Sequence, residues 1–577
     1  MFSKNHLSSL FKVLEPGEKK KIFLFFLLVL IIMFLETFSL GMFYPFLQSV
    51  TGSEVDNFFI EFFNEIKKLF NLNFETEILA LLVLSFLILI KNIISYSFEI
   101  WQLNYLRDLK INLKNKLLKA HFKIDYETSS NQKISSYIRD FTASIDQFVK
   151  SLQNTMLLII EIFVFLGITT LLIILQSKGV IYLSLIIFLI AGLFSIFQKK
   201  ILSGYGAINL SLQEKSASKL IDLLNSTKEL IAFKKSSLFI KQFKKIEWKS
   251  LNVLRNTALI QKFPKFFFEI LVVFSFTIFI YFSKRNGLDL KTIVPQLGLI
   301  FFATIRLLPA LTKALFYTQK LQASEAAALK ISNDISFYNS LINTSNTNKT
   351  EINFDQKIEL QNVFFKYKSR NNYALENVNL EISKNDFIGI YGESGGGKST
   401  LIDIISGFLS PTKGKIFIDG KEINNLNQTL WIDKIGYLTQ ENNLLDETIK
   451  TNITFEYNDE NINKDFFKKV CKDSGLEELI NHLPQKENTE IGQKGHSLSG
   501  GERQRIGIAR LLYAKKQILI FDESTSNLDD FNKEMFISTV KNLSNKKTIL
   551  LISHDQSVIK NCIRIFNINN KTLLEKN

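Results

Sequence analysis

Six apolar runs, at residues 22–47, 78–100, 155–175, 180–197, 266–282 and 292–315, set the first limit on what this chain can fold into. Each approaches the ~20 apolar residues that carry an α-helix across a bilayer. The first run exceeds the apolar core of a signal peptide, lacks a small-residue cleavage site and is followed by five more, so it is expected to stay in the mature chain. Past residue 351 the sequence turns polar, glycine-punctuated and strand-rich. Two domains are therefore predicted: a six-span membrane domain over residues 1–335 with cytoplasmic helical extensions, and a soluble domain over 351–577, joined by a linker at 336–350.

The 577 residues carry 70 Lys and Arg against 55 Asp and Glu, a net charge of +15. A nucleic-acid partner is not expected, because the basic residues concentrate beside the apolar runs, where they bias a loop to the cytoplasm. "EKKK" precedes the first run, and residues 101–153 hold nine basic against five acidic side chains, whereas 48–77 hold six acids and two lysines. Both termini and the soluble domain are accordingly placed in the cytoplasm of a bacterial inner membrane, with the acidic loop outside. The basic loop "SKRNGLDLK" (283–291) departs from this pattern. Cys471 and Cys562 both fall in the soluble domain, where a reducing cytoplasm favours ordinary thiols over a disulfide.

The second and fourth runs lead into long polar segments, 101–153 and 199–262, that are helically patterned and read as helices extending into the cytoplasm. "NQKISSYIRDF" (131–141) and "NSTKELIAFKK" (225–235) are candidate contact segments for the soluble domain, or plain helical linker. In the outer loop, "NFFIEFFNEIKKLF" (57–70) puts Phe58, Phe59, Phe62, Ile66, Leu69 and Phe70 on one helical face and Glu61, Asn64, Glu65 and Lys68 opposite. Such a helix touches lipid tails or packs on neighbouring spans.

In the soluble domain, "GESGGGKST" fits G-x-x-x-x-G-K-[ST], after the apolar strand "FIGIY" and before the helical "LIDIISGF". Gly392, Glu393, Ser394, Gly395, Gly396, Gly397, Lys398, Ser399 and Thr400 thus form a loop whose backbone N–H groups close around phosphate oxygens. Lys398 reaches the β and γ phosphates of ATP and Ser399 holds Mg²⁺. "ILIFDE" is a buried strand ending in two acids: Asp522 suits Mg²⁺ through water, and Glu523 suits orientation and deprotonation of the attacking water. "LSGGERQRIGIAR" (498–510) lets glycines open a basic amphipathic helix.

Here the chain resembles the ATP-binding cassette transporters, whose signature motif is similar to residues 498–502, with Glu502 where Gln is usual. The resemblance implies a multi-pass α-helical membrane domain of the type IV exporter fold followed by an α/β P-loop domain. It further implies that Ser499, Gly500 and Gly501 contact phosphate, that Tyr367 stacks on adenine, and that Gln440 serves Mg²⁺ and coupling. His554 resembles the switch histidine at the γ-phosphate, "STSNLD" (524–529) the dimer-contact loop and "TEIGQKG" (489–495) the cross-contact segment of exporters. Because the family sandwiches ATP between the Lys398 loop of one subunit and the Ser499 loop of another, a homodimer with two ATP sites is implied.

The cargo has to be read from the membrane half. "FLETFSLGMFYPFL" (34–47), "IRLLPA" (305–310) and the outer amphipathic helix resemble the bacterial flippase for lipid-linked oligosaccharides of protein N-glycosylation. Arg306 and Lys91 lie deep in their spans, Lys91 13 residues from its start, or ~20 Å at 1.5 Å per residue. Cations at that depth usually face a cavity and serve a path or a partner. Together with Lys265 they are candidate contacts for the pyrophosphate of a polyprenyl-linked glycan. The other reading is pairing: Lys265 with Glu269 one turn on, and Arg306 and Lys91 with Glu36, Glu161 or Glu269. Export of peptide, lipid A or hydrophobic drug is the alternative function, and a cassette ATPase with a regulatory or channel role is a third.

Overall fold

The computed structural model describes residues 12–42, 57–70, 75–123, 126–130, 133–174, 178–285, 290–344, 352–424, 428–440, 442–492, 495, 498–525 and 530–576. The chain divides into two compact units, Met1–Lys123 with Gln132–Ile342, and Ile124–Asn131 with Asn343–Asn577. The second unit therefore borrows a short piece from the middle of the first.

Among the described residues the elements of the membrane unit are all helices: α1 (Pro16–Gly41), α2 (Asn57–Phe70), α3 (Thr76–His121), and then, past the borrowed helix α4 (Tyr126–Ser130), α5 (Ile134–Arg139), α6 (Ile145–Ile174), α7 (Lys178–Asn225), α8 (Thr227–Ala232), α9 (Ser236–Arg285) and α10 (Leu290–Thr344). A π-helical turn, Asp140–Ser144, joins α5 to α6. Among the described residues, Pro16–Ser39, Ile78–His121 and Ile134–Leu171 are long and apolar enough to cross a membrane. The other three expected spans fall within α7, α9 and α10. Those helices and α3 run for 46 to 55 residues, about 70–80 Å at 1.5 Å per residue, so each continues well past a hydrocarbon core of ~30 Å. Phe23, Phe86, Leu89 and Phe274 are exposed, as side chains facing lipid should be. On the inner face Phe25, Val29 and Ile32 of α1 pack with Phe98 and Tyr105 of α3, Leu152 and Met156 of α6, and Ile331 and Ile335 of α10.

One sequence expectation shifts, and two others are described in part. The linker expected from residue 336 begins inside α10, which continues to Thr344, while 345–351 lie outside the described residues. Of the two candidate contact segments, α5 within 131–141 and α8 within 225–235 group with the membrane unit, and α4, just before the first, groups with the cassette. Of the outer helix α2, Ile66 packs against the cluster of Met42, Leu79 and Ala80, and Leu69 is exposed. The side chains of Phe58, Phe59, Phe62 and Phe70 lie outside the description. The exception loop at 283–291 lies partly outside it as well.

The cassette unit contains two sheets. β1 (Lys357–Phe365), β2 (Leu375–Ser383), β4 (Lys413–Ile418) and β5 (Lys421–Glu422) form an antiparallel sheet in the order β2-β1-β4-β5. The second sheet has the order β10-β9-β3-β8-β7-β6, from β3 (Phe387–Gly392), β6 (Ile435–Leu438), β7 (Ile518–Asp522), β8 (Thr548–Ile552), β9 (Arg564–Asn569) and β10 (Thr572–Lys576). β9, β3, β8, β7 and β6 are parallel. Strands buried on both faces read as continuous apolar runs, which is why "ILIFD" and "TILLI" show no alternation. The helices are α11 (Lys398–Ile405), α12 (Gln428–Ile432), α13 (Ile449–Thr454), α14 (Lys464–Asp473), α15 (Glu477–His482), α16 (Gly500–Tyr513), α17 (Asp530–Ser544) and α18 (Gln556–Ile559). One apolar core joins both sheets and includes Ile390, Leu401, Trp431 and Ile520. A separate one, including Ile449, Phe467, Leu476 and Ile506, carries the helices between 444 and 512. Cys471 and Cys562 are buried and free, and burial pushes both thiols up to about 12.

Candidate functional site

The phosphate loop leaves the C-terminal end of β3, inside the parallel sheet, and enters α11. Gly395 and Gly397 have φ of +80° and +104°, a region that glycine occupies without penalty. A Cβ on Gly397 would stand 2.7 Å from the carbonyl oxygen of Ala374, and one on Gly392 2.3 Å from that of Ile568. The loop thus packs its bare backbone against Ala374 and Ile568 at positions where a side chain would not fit. Lys398, buried, donates to the carbonyl oxygens of Gly392 and Glu393, both at 2.9 Å. Its ammonium is pushed below its ordinary value by burial, against the pull of Glu523 and Asp522. Glu393, Ser394, Gly395 and Ser399 are exposed, Gly396 is half-buried, and Thr400 is buried with its hydroxyl 3.0 Å from that of Tyr367. The Tyr367 ring, packed edge-on against Phe365, lies under the guanidinium of Arg370.

Two strands away, β7 ends at Asp522. Its Oδ2 accepts a 2.9 Å bond from the Tyr437 hydroxyl of β6, and burial raises its pKa. Glu523 follows with φ +47°, the left-handed region that a residue with a Cβ enters at a cost. Its N–H donates to Ile552 at 3.0 Å. The turned backbone brings the Glu523 Oε1 to 2.8 Å from Nε2 of His554, just past β8. Gln440 is exposed beyond the end of β6.

Ser499 caps α16 from the helical part of the cassette. It forms a capping box with Glu502: the Ser499 N–H donates to Glu502 Oε2 at 2.7 Å and the Glu502 N–H to Ser499 Oγ at 3.3 Å. This geometry accounts for Glu502, since either Glu or Gln at that position can close the box. Gly500 and Gly501 are the first residues of the helix, whose N–H groups suit an anion. Residues 493, 494 and 526–529 of the two expected dimer segments lie outside the described residues.

Sequence reasoning missed several neighbours. Tyr437 ties to Asp522 by a bond that no motif announces, and Phe408 packs edge-on against Tyr437 and against Tyr126 of α4. Lys368 donates its N–H to Glu127 of α4 at 2.8 Å. Asp403 of α11 is pushed up to about 7 by burial, with Asp522 adding to it. Arg510 of α16 donates through Nε to the Asn452 carbonyl at 2.8 Å and lies over the Phe455 ring, so it fixes the signature helix to α13. Asn442, two residues past Gln440, donates to the carbonyl of Arg503 in α16.

In the membrane unit, α1, α3 and α10 bring Lys91 and Arg306 to one carboxylate. Glu36 Oε1 pairs with Arg306 Nη2 and lies 3.8 Å from Lys91 Nζ. Glu161 of α6 pairs with Lys313 at 3.4 Å and is close enough to Arg306 to interact with it. The pairing alternative for Lys91 and Arg306 is therefore realised, with Glu36 as the shared partner. Lys265 is not in this cluster: it is exposed and lies 3.9 Å from Glu269, one turn along α9.

Among the described residues no three His, Cys, Asp or Glu side chains gather as metal ligands. Ser399, Gln440 and Asp522 offer hard oxygen donors, the set that suits a Mg²⁺ keeping water and phosphate oxygens.

A six-stranded, mostly parallel sheet with a phosphate loop follows the long helices of the membrane unit. Residues 375–526 match the family described as ABC transporter, so this part of the chain has the sequence of an ABC transporter cassette. Similar curated proteins include the alpha-hemolysin translocation ATP-binding protein HlyB of Escherichia coli O157:H7, 39% identical over 219 residues, 38% of this chain and 31% of that protein. A probable ABC transporter ATP-binding/permease protein of Haemophilus influenzae is 36% identical over 37% of this chain and 38% of its own length. The leukotoxin export ATP-binding protein LtxB of Aggregatibacter actinomycetemcomitans is 35% identical over 41% and 32%. The chain thus spans about a third of the length of these relatives. A solved bacterial Atm1-family ABC exporter with ATP bound shares the fold along the chain, with TM-score 0.76 at 20% identity over 96% of this chain and 94% of that one.

Proposed function

We propose that the protein is an ATP-driven flippase that moves a polyprenyl-pyrophosphate-linked oligosaccharide from the cytoplasmic to the periplasmic side of a bacterial inner membrane. It works as a homodimer, because one chain carries one phosphate loop and one Ser499 helix end. In each site the bare backbone of 392–397 and Lys398 bind the β and γ phosphates, Tyr367 takes the adenine, and Ser499 with the N–H groups of Gly500 and Gly501 closes on the γ-phosphate from the other subunit. Ser399, Gln440 and Asp522 would hold a Mg²⁺, which would neutralise charge on those phosphates. Glu523 orients the attacking water and takes its proton, and His554, already 2.8 Å from Glu523, steadies that carboxylate and meets the γ-phosphate. Gln440, neighbour to Asn442 and so to α16, reports the state of the site to the membrane helices.

The cargo reading is carried by one observation. Across four helices, Lys91, Arg306 and Lys313 oppose only Glu36 and Glu161 among the described pairs, three cations against two anions, which leaves +1. A cation surplus at membrane depth suits an anionic headgroup. Lys265, exposed on α9, would meet cargo only at an entrance. A second reading, export of a peptide or protein, is favoured by relatives named for hemolysin and leukotoxin export. The deciding measurement is transport by purified protein in proteoliposomes of a fluorescent lipid-linked glycan, beside lipid A, a hydrophobic drug and a peptide. Translocation of the peptide but not the glycan would overturn the flippase reading. ATP hydrolysis with no translocation of any of them would favour a regulatory role.

A further inference from the structure

Glu36 is buried, with 6% of its side chain exposed, whereas its partners Lys91 and Arg306 keep 22% and 30% exposed. The carboxylate lies behind the cations, and the cations face an open side. Both converge on a single oxygen, Oε1, and the Nε of Arg306 is buried with no acceptor among the described residues. The second pair repeats the build: Glu161 is 9% exposed, Lys313 50%, and Glu161 Oε2 is buried with no donor among the described residues. Hydrogen-bonding capacity is thus left over on both sides of the cluster, with Arg306 between the two carboxylates. Buried groups left unsatisfied in this way mark an arrangement that can be exchanged for another.

We infer that Glu36 is a resident counter-ion: it occupies Arg306 and Lys91 in place of cargo and yields the guanidinium when an anionic lipid headgroup arrives. The inference rests on reading this cluster as the cargo's anion site. Glu36, Lys91 and Arg306 together carry +1, so an incoming anion is attracted even while Glu36 is in place. A phosphate group offers the guanidinium fork two oxygens, and Glu36 then keeps Lys91, so no buried charge is stranded at any stage. The cost of separating Glu36 from Arg306 is subtracted from the affinity for cargo, and their reunion drives release. The same two cations without Glu36 would bind pyrophosphate more tightly and let it go more slowly.

The test uses the full-length protein in nanodiscs, with ATP hydrolysis followed against increasing polyprenyl pyrophosphate, polyprenyl monophosphate or uncharged polyprenol. For Glu36→Gln the concentration of the pyrophosphate lipid giving half-maximal stimulation should fall about tenfold, the size of a typical coupling between sites. The monophosphate should shift less and the polyprenol not at all. Glu36→Asp, which withdraws the carboxylate by one methylene and keeps the charge, should shift the pyrophosphate curve in the same direction by a smaller factor, and it serves if the Gln variant does not fold. If Arg306→Gln weakens the response to pyrophosphate while both Glu36 variants match wild type, Glu36 is a structural partner only and the counter-ion role is overturned. If wild type and Arg306→Gln respond alike to all three lipids, the anion site itself is overturned.

Discussion

Lys398 in the cassette and Arg306 in the membrane unit are both held close, but by opposite kinds of partner. Lys398 rests on two backbone carbonyls and Asp522 on a phenol, neutral dipoles that fix position and leave the full charge to be offered to a ligand. Arg306 and Lys91 rest on Glu36, and Lys313 on Glu161, so most of their charge is met by carboxylates and only the surplus is free. The first arrangement suits a site that must grip nucleotide tightly and align it. The second suits one that must take cargo up and give it away. In a low-dielectric interior the difference is large, because a pair of opposite charges is far more costly to separate than a charge and a dipole.

The largest expected effect tests the cassette side. Glu523→Gln keeps the shape, the turned backbone and a partner for His554 but removes the base, so ATP turnover should fall by about 10²–10⁴-fold. Binding of a nucleotide analogue should persist, because the loop and Lys398 are untouched. Phosphate release at the wild-type rate would mean that proton removal does not depend on Glu523.

The next prediction addresses an acid of the membrane unit with no ion pair among the described residues. In the helical extension, Asp140 is taken by Arg139 at 3.0 Å and Lys330 at 2.6 Å, and Arg139 also holds Glu214. Asp334 is left half-buried beside them and is pushed up to about 6 by burial, with Asp140 adding and Arg139 opposing. The folded state then binds the proton more tightly than the unfolded chain does. Stability is therefore full near pH 4, falls as pH rises through 6, and stays lower above it. Asp334→Asn should raise stability at pH 7.5 by about 2 kcal/mol, from a shift of roughly two pH units discounted for partial exposure. It should also flatten the dependence between pH 4 and 6 in thermal unfolding. An unchanged pH profile would show that Asp334 has a counter-charge after all.

A smaller effect is expected at Tyr437. Tyr437→Phe removes the bond to Asp522 at a cost of about 1–1.5 kcal/mol. The Mg²⁺ concentration for half-maximal hydrolysis should rise by roughly tenfold, with the ATP dependence much less affected. Equal shifts in both would assign Tyr437 to packing rather than to the orientation of Asp522.

Much of this was legible in the residues, for a physical reason. Apolar runs must be helices of membrane length, and a phosphate loop must have glycines where a Cβ would strike Ala374 or Ile568, so both announce themselves locally. Partners that meet across the fold leave no such trace. Glu36 was one of three possible acids for Arg306, and only the packing of α1 against α3 and α10 selected it. Tyr437 looked like an ordinary strand aromatic, and the borrowed helix α4 carries "YETSS", whose value lies in Phe408 and Lys368 far along the chain. The linker was misread at its start because α10 continues as helix past the point where its apolar pattern stops.

The smallest expected effect bears most directly on the contrast between dipoles and charges. Glu502 stands where the family usually has Gln, at the end of the helix that would face phosphate. If its task is to close the capping box, a neutral amide oxygen serves as well as a carboxylate, and Glu502→Gln should change ATP turnover by less than about twofold. Glu502→Ala opens the box and should cost about 1 kcal/mol of helix-end stability, read as a lower unfolding temperature together with slower turnover. A carboxylate so near an incoming γ-phosphate would, if it acted through its charge, repel it, and the Gln variant would then hydrolyse ATP faster or at lower concentration. Parity between Gln and wild type, with loss only in Ala, would place the signature helix with Lys398 and Asp522 among groups held by geometry and neutral hydrogen bonds. Acceleration in Gln would instead place a charge to be overcome in the cassette too.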